Sequence, residues 1–177
     1  MVKFYPSISD DLREWALKQQ VFFIASAPLA GEHVNISPKG LPSSTLSVFD
    51  SNHVAYMDAT GSGIETVSHV RENGRATIMF CSFDKAPRIM RWFCKGRVIE
   101  WDEPEFDVVL DRMGKNRTDG ARAILYFEVF KGISPAGKHG RLSILTHPQC
   151  KHHVASLCLL YKNASILTTS NSDQRLT

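Results

Sequence analysis

The chain has no C-x-x-C pair, no apolar run long enough to cross a membrane as a helix, no internal repeat and no low-complexity block. Each absence removes a class of protein. The longest apolar candidate, Val154 to Tyr161, falls well short of the roughly 18 residues a spanning helix needs, so membrane insertion is not expected. The opening residues include Asp10, Asp11, Arg13 and Glu14 in place of the apolar core of a secretory leader. A cytoplasmic location is expected. The four cysteines, Cys81, Cys94, Cys150 and Cys158, therefore read as reduced structural thiols, and the three Asn-x-Ser/Thr matches at Asn35, Asn116 and Asn163 as chance.

Chemical signatures are also missing. The Ser, His and Asp residues form no nucleophile elbow or triad pattern, so hydrolase chemistry has no support. His139, His147, Cys150, His152, His153 and Cys158 crowd the last quarter of the chain, but their spacings match no standard metal site. No metal is expected. The net charge of +3 comes from residues 131–177, which hold six Lys/Arg and one Asp; the preceding part is slightly acidic. A nucleic-acid binder concentrates its basic residues on a folded face, so no nucleic-acid partner is expected.

What is present is an ordinary globular composition, 43% hydrophobic and 22% charged, in 177 residues, enough for one sizeable core. Sixteen of the seventeen aromatic residues precede residue 131, so the core material lies there. A split at 130 follows: a folded domain over 4–130 and a poorly ordered tail over 131–177, where Gly132, Pro135, Gly137 and Gly140 interrupt the pattern.

Periodicity predicts a short helix over 8–19, capped by Ser9 or Asp10, and a strand from Val21 to Ala27. A second strand begins near His33 and is broken by Pro38, Gly40 and Pro42. Thr45–Phe49 and His53–Asp58 flank the turn sequence Asp50-Ser51-Asn52. A helix over 60–72 stops at Asn73-Gly74. The strands Arg75–Phe83 and Arg88–Trp101 follow, with Gly96 marking a bend or bulge in the second. A helix over Glu103–Met113 and a last strand over Ala121–Phe130 complete six or seven strands. The fold class is mainly β, a barrel with a few short helices.

The most informative local segment is Thr60-Gly61-Ser62-Gly63-Ile64-Glu65, where a strand hands over to a helix. Free backbone N–H groups and the positive end of the helix dipole make such a junction receptive to phosphate. Ser62 followed three residues later by Glu65 also reads as a capping box, and the two roles can coexist.

Three motifs in order carry a resemblance: Asn35-Ile36-Ser37-Pro38-Lys39-Gly40, Tyr56-Met57-Asp58-Ala59-Thr60-Gly61-Ser62-Gly63-Ile64-Glu65-Thr66, and Pro87-Arg88-Ile89-Met90-Arg91 through Val98. Together they resemble the pyridoxamine phosphate oxidase-like FMN-binding proteins, particularly the small fungal type, over approximately residues 4–130. The resemblance implies an FMN-binding split β-barrel that forms a homodimer with the cofactor at the subunit interface. It implies that Asn35, Ser37 and Lys39 line the flavin cleft. It further implies that Met57 and Asp58 meet the ring or ribityl chain through backbone groups, and that Thr60, Ser62 and Gly63 meet the phosphate. Arg91 would reach in from the long strand, while Arg88, Lys95 and Arg97 read as surface residues.

Two departures stand out. Where the oxidases carry a basic pair after the Ser at the helix start, this chain has Gly63 and Ile64; after Phe130 the group's usual Ser-x-Cys-Gly and Val-Pro are missing. The function implied is an FMN-dependent oxidoreductase acting on a small-molecule substrate, with no protein nucleophile and hence no catalytic residue assigned. The alternatives are a flavin-binding or dimerisation module without turnover, and a split barrel holding a haem or another flavin-like ligand.

Overall fold

A computed structural model describes residues 2–83 and 88–135. The turn at 84–87 and everything from 136 onward, including the histidines and cysteines of the last quarter, lie outside the described residues. The elements run β1 (Val2–Tyr5), α1 (Asp10–Leu17), β2 (Val21–Ser26), β3 (Asn35–Gly40), α2 (Pro42–Thr45), β4 (Leu46–Val48) and β5 (His53–Ala59). They continue with α3 (Ile64–Asn73), β6 (Arg75–Cys81), β7 (Ile89–Glu100), α4 (Pro104–Met113) and β8 (Ala121–Pro135).

The strands form one eight-stranded antiparallel sheet, in the order β3-β2-β6-β7-β8-β5-β4, with β1 also on β8. It curls into a half-barrel decorated by short helices, which is the FMN-binding split-barrel fold. Among the described residues no helix is long and apolar enough to cross a membrane.

β8 organises the sheet. Its first half pairs with β5 and its end, Gly132 to Pro135, pairs with β1, while β7 runs along its other side. The strand therefore extends five residues past Phe130, because β1 supplies a partner that local pattern does not reveal. Pro38 does not break β3 but lies within it, opposite Phe23. β3 is the sheet edge, so a residue without an N–H costs no ladder bond on its open side.

Two cores flank the central strands. Inside the barrel, Phe22, Ile24, Tyr56, Ile78, Phe80, Trp92, Leu125 and Phe127 are fully or almost fully buried, with Leu12, Ala16, Val67 and Val70 packed on them from α1 and α3. On the other face, α4 lays Phe106, Val109, Leu110 and Met113 against Ala55, Met57, Ile99 and Ile124. These four follow the spacing of one helical face. β5 alternates between the cores, Val54 and Tyr56 inward, Ala55 and Met57 toward α4. Burial pushes the Cys81 and Cys94 thiols above their ordinary value, and both are free, as expected for inert structural cysteines.

Gly96 has a different role from the expected bulge. The irregularity in the β7–β8 pairing falls opposite Phe93 and Cys94, whose successive partners are Lys131 and Val129, so the extra residue is Phe130 on β8. At Gly96 a Cβ would stand 2.2 Å from Phe127 Cδ1 and 2.7 Å from the Tyr126 carbonyl oxygen. The glycine is needed because the buried Phe127 ring lies directly across the backbone. Gly96→Ala is expected to destabilise the protein by about 1–3 kcal/mol through overpacking, read as a lower urea midpoint. An unchanged midpoint would remove that packing role.

Candidate functional site

The junction between β5 and α3 gathers charges from three strands. In β3, alternation turns Asn35, Ser37 and Lys39 to one face, while Ile36 and Pro38 point to solvent. In β5 the inward row Val54, Tyr56 ends on Asp58, whose side chain is completely buried. Lys39 Nζ donates to Asp58 Oδ1 at 2.7 Å and lies 5.6 Å from the centre of the Tyr56 ring. On the carboxylate's other oxygen, Arg122 Nε donates to Asp58 Oδ2 at 2.8 Å.

Arg122 was not among the residues expected here. In a regular strand it would share the α4 side with Ile124. A bulge prevents this: Asp58 pairs with Ala123 and Ala59 with Ala121, so Arg122 is the extra residue. The bulge reverses the alternation and aims the guanidinium inward. Ala121 accordingly packs on the α4 side together with Ile124. The sequence signal was a lone arginine in the otherwise apolar run Ala121-Arg122-Ala123-Ile124-Leu125.

Two cations thus share one buried carboxylate, and the cluster keeps a net positive charge. Arg122 Nη1 donates to the Gly61 carbonyl at 3.1 Å. Nη2 is 2.7 Å from Asp58 Oδ2, close enough for an ion pair, yet no acceptor lies along its N–H bonds. A buried guanidinium nitrogen with unused donors invites an anion.

The start of α3 lies on this cluster. A Cβ at Gly63 would stand 2.7 Å from Lys39 Nζ, 3.0 Å from Asp58 Oδ1 and 3.1 Å from Arg122 Nη2. A side chain there would have to displace the Lys39 head group. Gly63 is the N-cap, with no side-chain cap bond, so the capping-box reading of Ser62 and Glu65 is not realised. Glu65 instead bonds His33. Among the described residues, no acceptor takes the N–H of Gly61, Ser62 or Gly63. Unbonded amides, the helix dipole and the cationic cluster therefore coincide.

The other expected residues are placed as follows. Thr60 gives both its N–H and its hydroxyl to the Gly120 carbonyl, at 2.7 and 3.0 Å, which ties the junction to β8. Asn35 Nδ2 donates to Thr66 Oγ1 at 2.9 Å and Ser37 Oγ lies 3.3 Å from the same oxygen, so both couple β3 to α3. Met57 buries its side chain against α4, but β4 stops opposite Tyr56, so the backbone at Met57 and Asp58 has no strand on that edge. Arg91 is not brought to the cluster. It pairs with Met79 and Ile133, so across β6 and β2 it lies level with Pro38, three strands from Lys39, and among the described residues it makes no hydrogen bond or ion pair with the cluster. Of the arginines and lysines read as surface residues, Arg97 and Lys95 are exposed, and Arg97 Nη1 donates to Glu105 Oε2 at 2.7 Å. That guanidinium holds the Glu105 carboxyl below its usual value. Arg88 is half-buried, its guanidinium 4.6 Å from the centre of the Trp15 ring.

Fold and sequence together make this chain a homologue of the pyridoxamine 5'-phosphate oxidase-like FMN-binding split-barrel proteins. It is 57% identical over 128 residues, 72% of its length, to the pyridoxamine 5'-phosphate oxidase family protein ustO of Aspergillus flavus. Those residues are 51% of ustO, so the chain spans about half the length of that curated relative. Among solved structures, a single-substitution variant of HupZ from Group A Streptococcus matches with a TM-score of 0.58 at 16% identity, over 72% of this chain and 99% of that one. A second HupZ structure from the same organism matches with a TM-score of 0.54 at 16% identity, over 69% and 89%. At such identities the likeness establishes the fold. No protein-family model matches the chain.

Proposed function

We propose that this chain is an FMN-binding protein and a flavin-dependent oxidoreductase whose phosphate site is the mouth of α3. The observation that carries the reading is the buried Lys39–Asp58–Arg122 cluster, which has one cation in excess and an unsatisfied Nη2. A phosphate dianion fits that donor set: two cations, plus the N–H groups of residues 61–63. Arg122 takes the part that the family's missing basic pair would play.

Lys39 and Arg122 hold the anion, and Asp58 keeps both cations in place. The backbone edge of β5 beyond Tyr56 lies past the end of β4, and there one of Met57 and Asp58 presents its N–H and C=O to the polar rim of a ring. When bound, FMN supplies the electron-accepting ring system, and the protein's contribution is to bind and orient it.

The homodimer is part of the same proposal. Val34 and Phe130 are more than half exposed, and with Phe93 and Cys94 they line an open groove of about 600 Å³ across β2, β6 and β7. An apolar groove of this kind suits a second copy, whose β7 would bring its own Arg91 toward the cofactor.

Visible absorption of the purified chain, with and without added FMN, tests the reading. A flavin band and sedimentation at twice the monomer mass are expected. A protein that stays colourless at millimolar FMN would sink the proposal, and a Soret band would replace it with a haem reading.

A further inference from the structure

We propose that His33, Glu65 and His69 form a binding site for a divalent transition-metal ion, on the flank of α3 and separate from the phosphate site. Glu65 and His69 are four residues apart on α3 and therefore share one face. His33 reaches that face from the connection between β2 and β3. One ligand atom from each residue lies within 4.8 Å of the other two, the His33 Nε2 to Glu65 Oε1 distance being 2.8 Å. The two imidazole rings are 6.0 Å apart, centre to centre.

The ligand atoms as a group stand wider apart than in an occupied site. Metal–nitrogen bonds of 2.0–2.1 Å in a tetrahedron place ligand atoms about 3.3 Å apart. His33 and Glu65 are exposed, so their side chains have room to turn toward that spacing. His69 is the fixed member, 6% exposed, with its Nδ1 3.0 Å from Ser26 Oγ. A hydroxyl can accept from Nδ1–H, and that tautomer leaves the Nε2 lone pair available. Ser26, itself buried, thereby orients the ligand.

Two imidazoles and one carboxylate suit zinc, cobalt and iron(II), and do not suit magnesium or calcium, which prefer all-oxygen shells. Solvent exposure at His33 and Glu65 leaves the remaining positions to water or a small ligand. Occupancy would also clamp the β2–β3 connection to α3. The site was hidden in the sequence because His33 is 32 residues from Glu65.

The metal-stripped full chain, titrated with Zn²⁺ against a competing chelator, tests the proposal. One zinc per chain is expected, with Mg²⁺ failing to compete. His33→Ala and Glu65→Gln each remove one exposed ligand without touching the core, and each should weaken zinc binding by about tenfold or more. Co²⁺ substitution gives a second readout, since its visible bands should change with loss of either ligand. If the chain takes up no zinc, or if both variants bind it as tightly as the parent, the proposal is overturned. The second result would locate the ion on other histidines or cysteines of the chain.

Discussion

Arg122→Ala is expected to lower FMN affinity by one to two orders of magnitude while leaving riboflavin affinity nearly unchanged. A hydrogen bond to a charged group contributes about 1.5–3 kcal/mol, and each 1.4 kcal/mol is about tenfold in binding. Riboflavin lacks the phosphate, so it reports on the ring slot alone. The ratio of the two affinities, measured by fluorescence quenching, therefore isolates the anion site from general damage. Lys39→Ala should reduce the ratio in the same sense. Equal weakening of both ligands would show that Arg122 supports the fold and does not contact the phosphate. Arg91→Ala in the same titration tests the proposed second copy, since among the described residues of one chain Arg91 makes no hydrogen bond or ion pair with the cluster and stands three strands from Lys39.

Asp58→Ala should be the most destabilising single change in the site. Its side chain is fully buried and holds two cations that are themselves only 16% and 17% exposed. Removing it leaves Lys39 and Arg122 facing each other without an anion. Breaking a buried ion pair from one side costs about 3–5 kcal/mol. The loss should appear as a large drop in the urea midpoint, and Lys39→Met in the same background should recover part of it. A shift below about 1 kcal/mol, the range of ordinary surface changes, would mean that the cluster is well solvated and has no special demand for an anion. FMN added in excess should not rescue Asp58→Ala fully, because the phosphate compensates charge without restoring the geometry that Asp58 imposes.

Most elements were legible because their pattern is local. α4 shows Phe106, Val109, Leu110 and Met113 on one face, and β3 shows Asn35, Ser37 and Lys39 on alternate positions. Gly74, at φ +72°, ends α3 where an Asn-Gly stop was expected. β1 escaped notice because four residues carry too little periodicity, and their partner, Gly132 to Pro135, lies at the far end of the described chain. Gly96 was recognised as special, but the ring that demands it, Phe127, belongs to another strand.

The candidate site divides in the same way. The proposed phosphate site at residues 60–65 was suggested by glycines and hydroxyls at a strand-to-helix junction, a feature confined to a few consecutive residues. Arg122 stood out only as a lone arginine in an apolar run, because alternation in β8 puts it on the wrong face until a bulge, formed by pairing with β5, reverses the order. Glu65 changed partner for a related reason: a nearby histidine from another connection competes with the backbone cap.

Sequence alone therefore determined the mainly β class and the short helices, since these depend on residue types within one or two turns or strands, while the split barrel was implied by the family resemblance that its three motifs carry. Tertiary structure alone decided that Lys39 and Arg122 meet on Asp58, and that His33 joins Glu65 and His69. Electrostatic and ligand contacts act over a few ångströms, and only the summed pairing of strands brings groups so distant in the chain within that range.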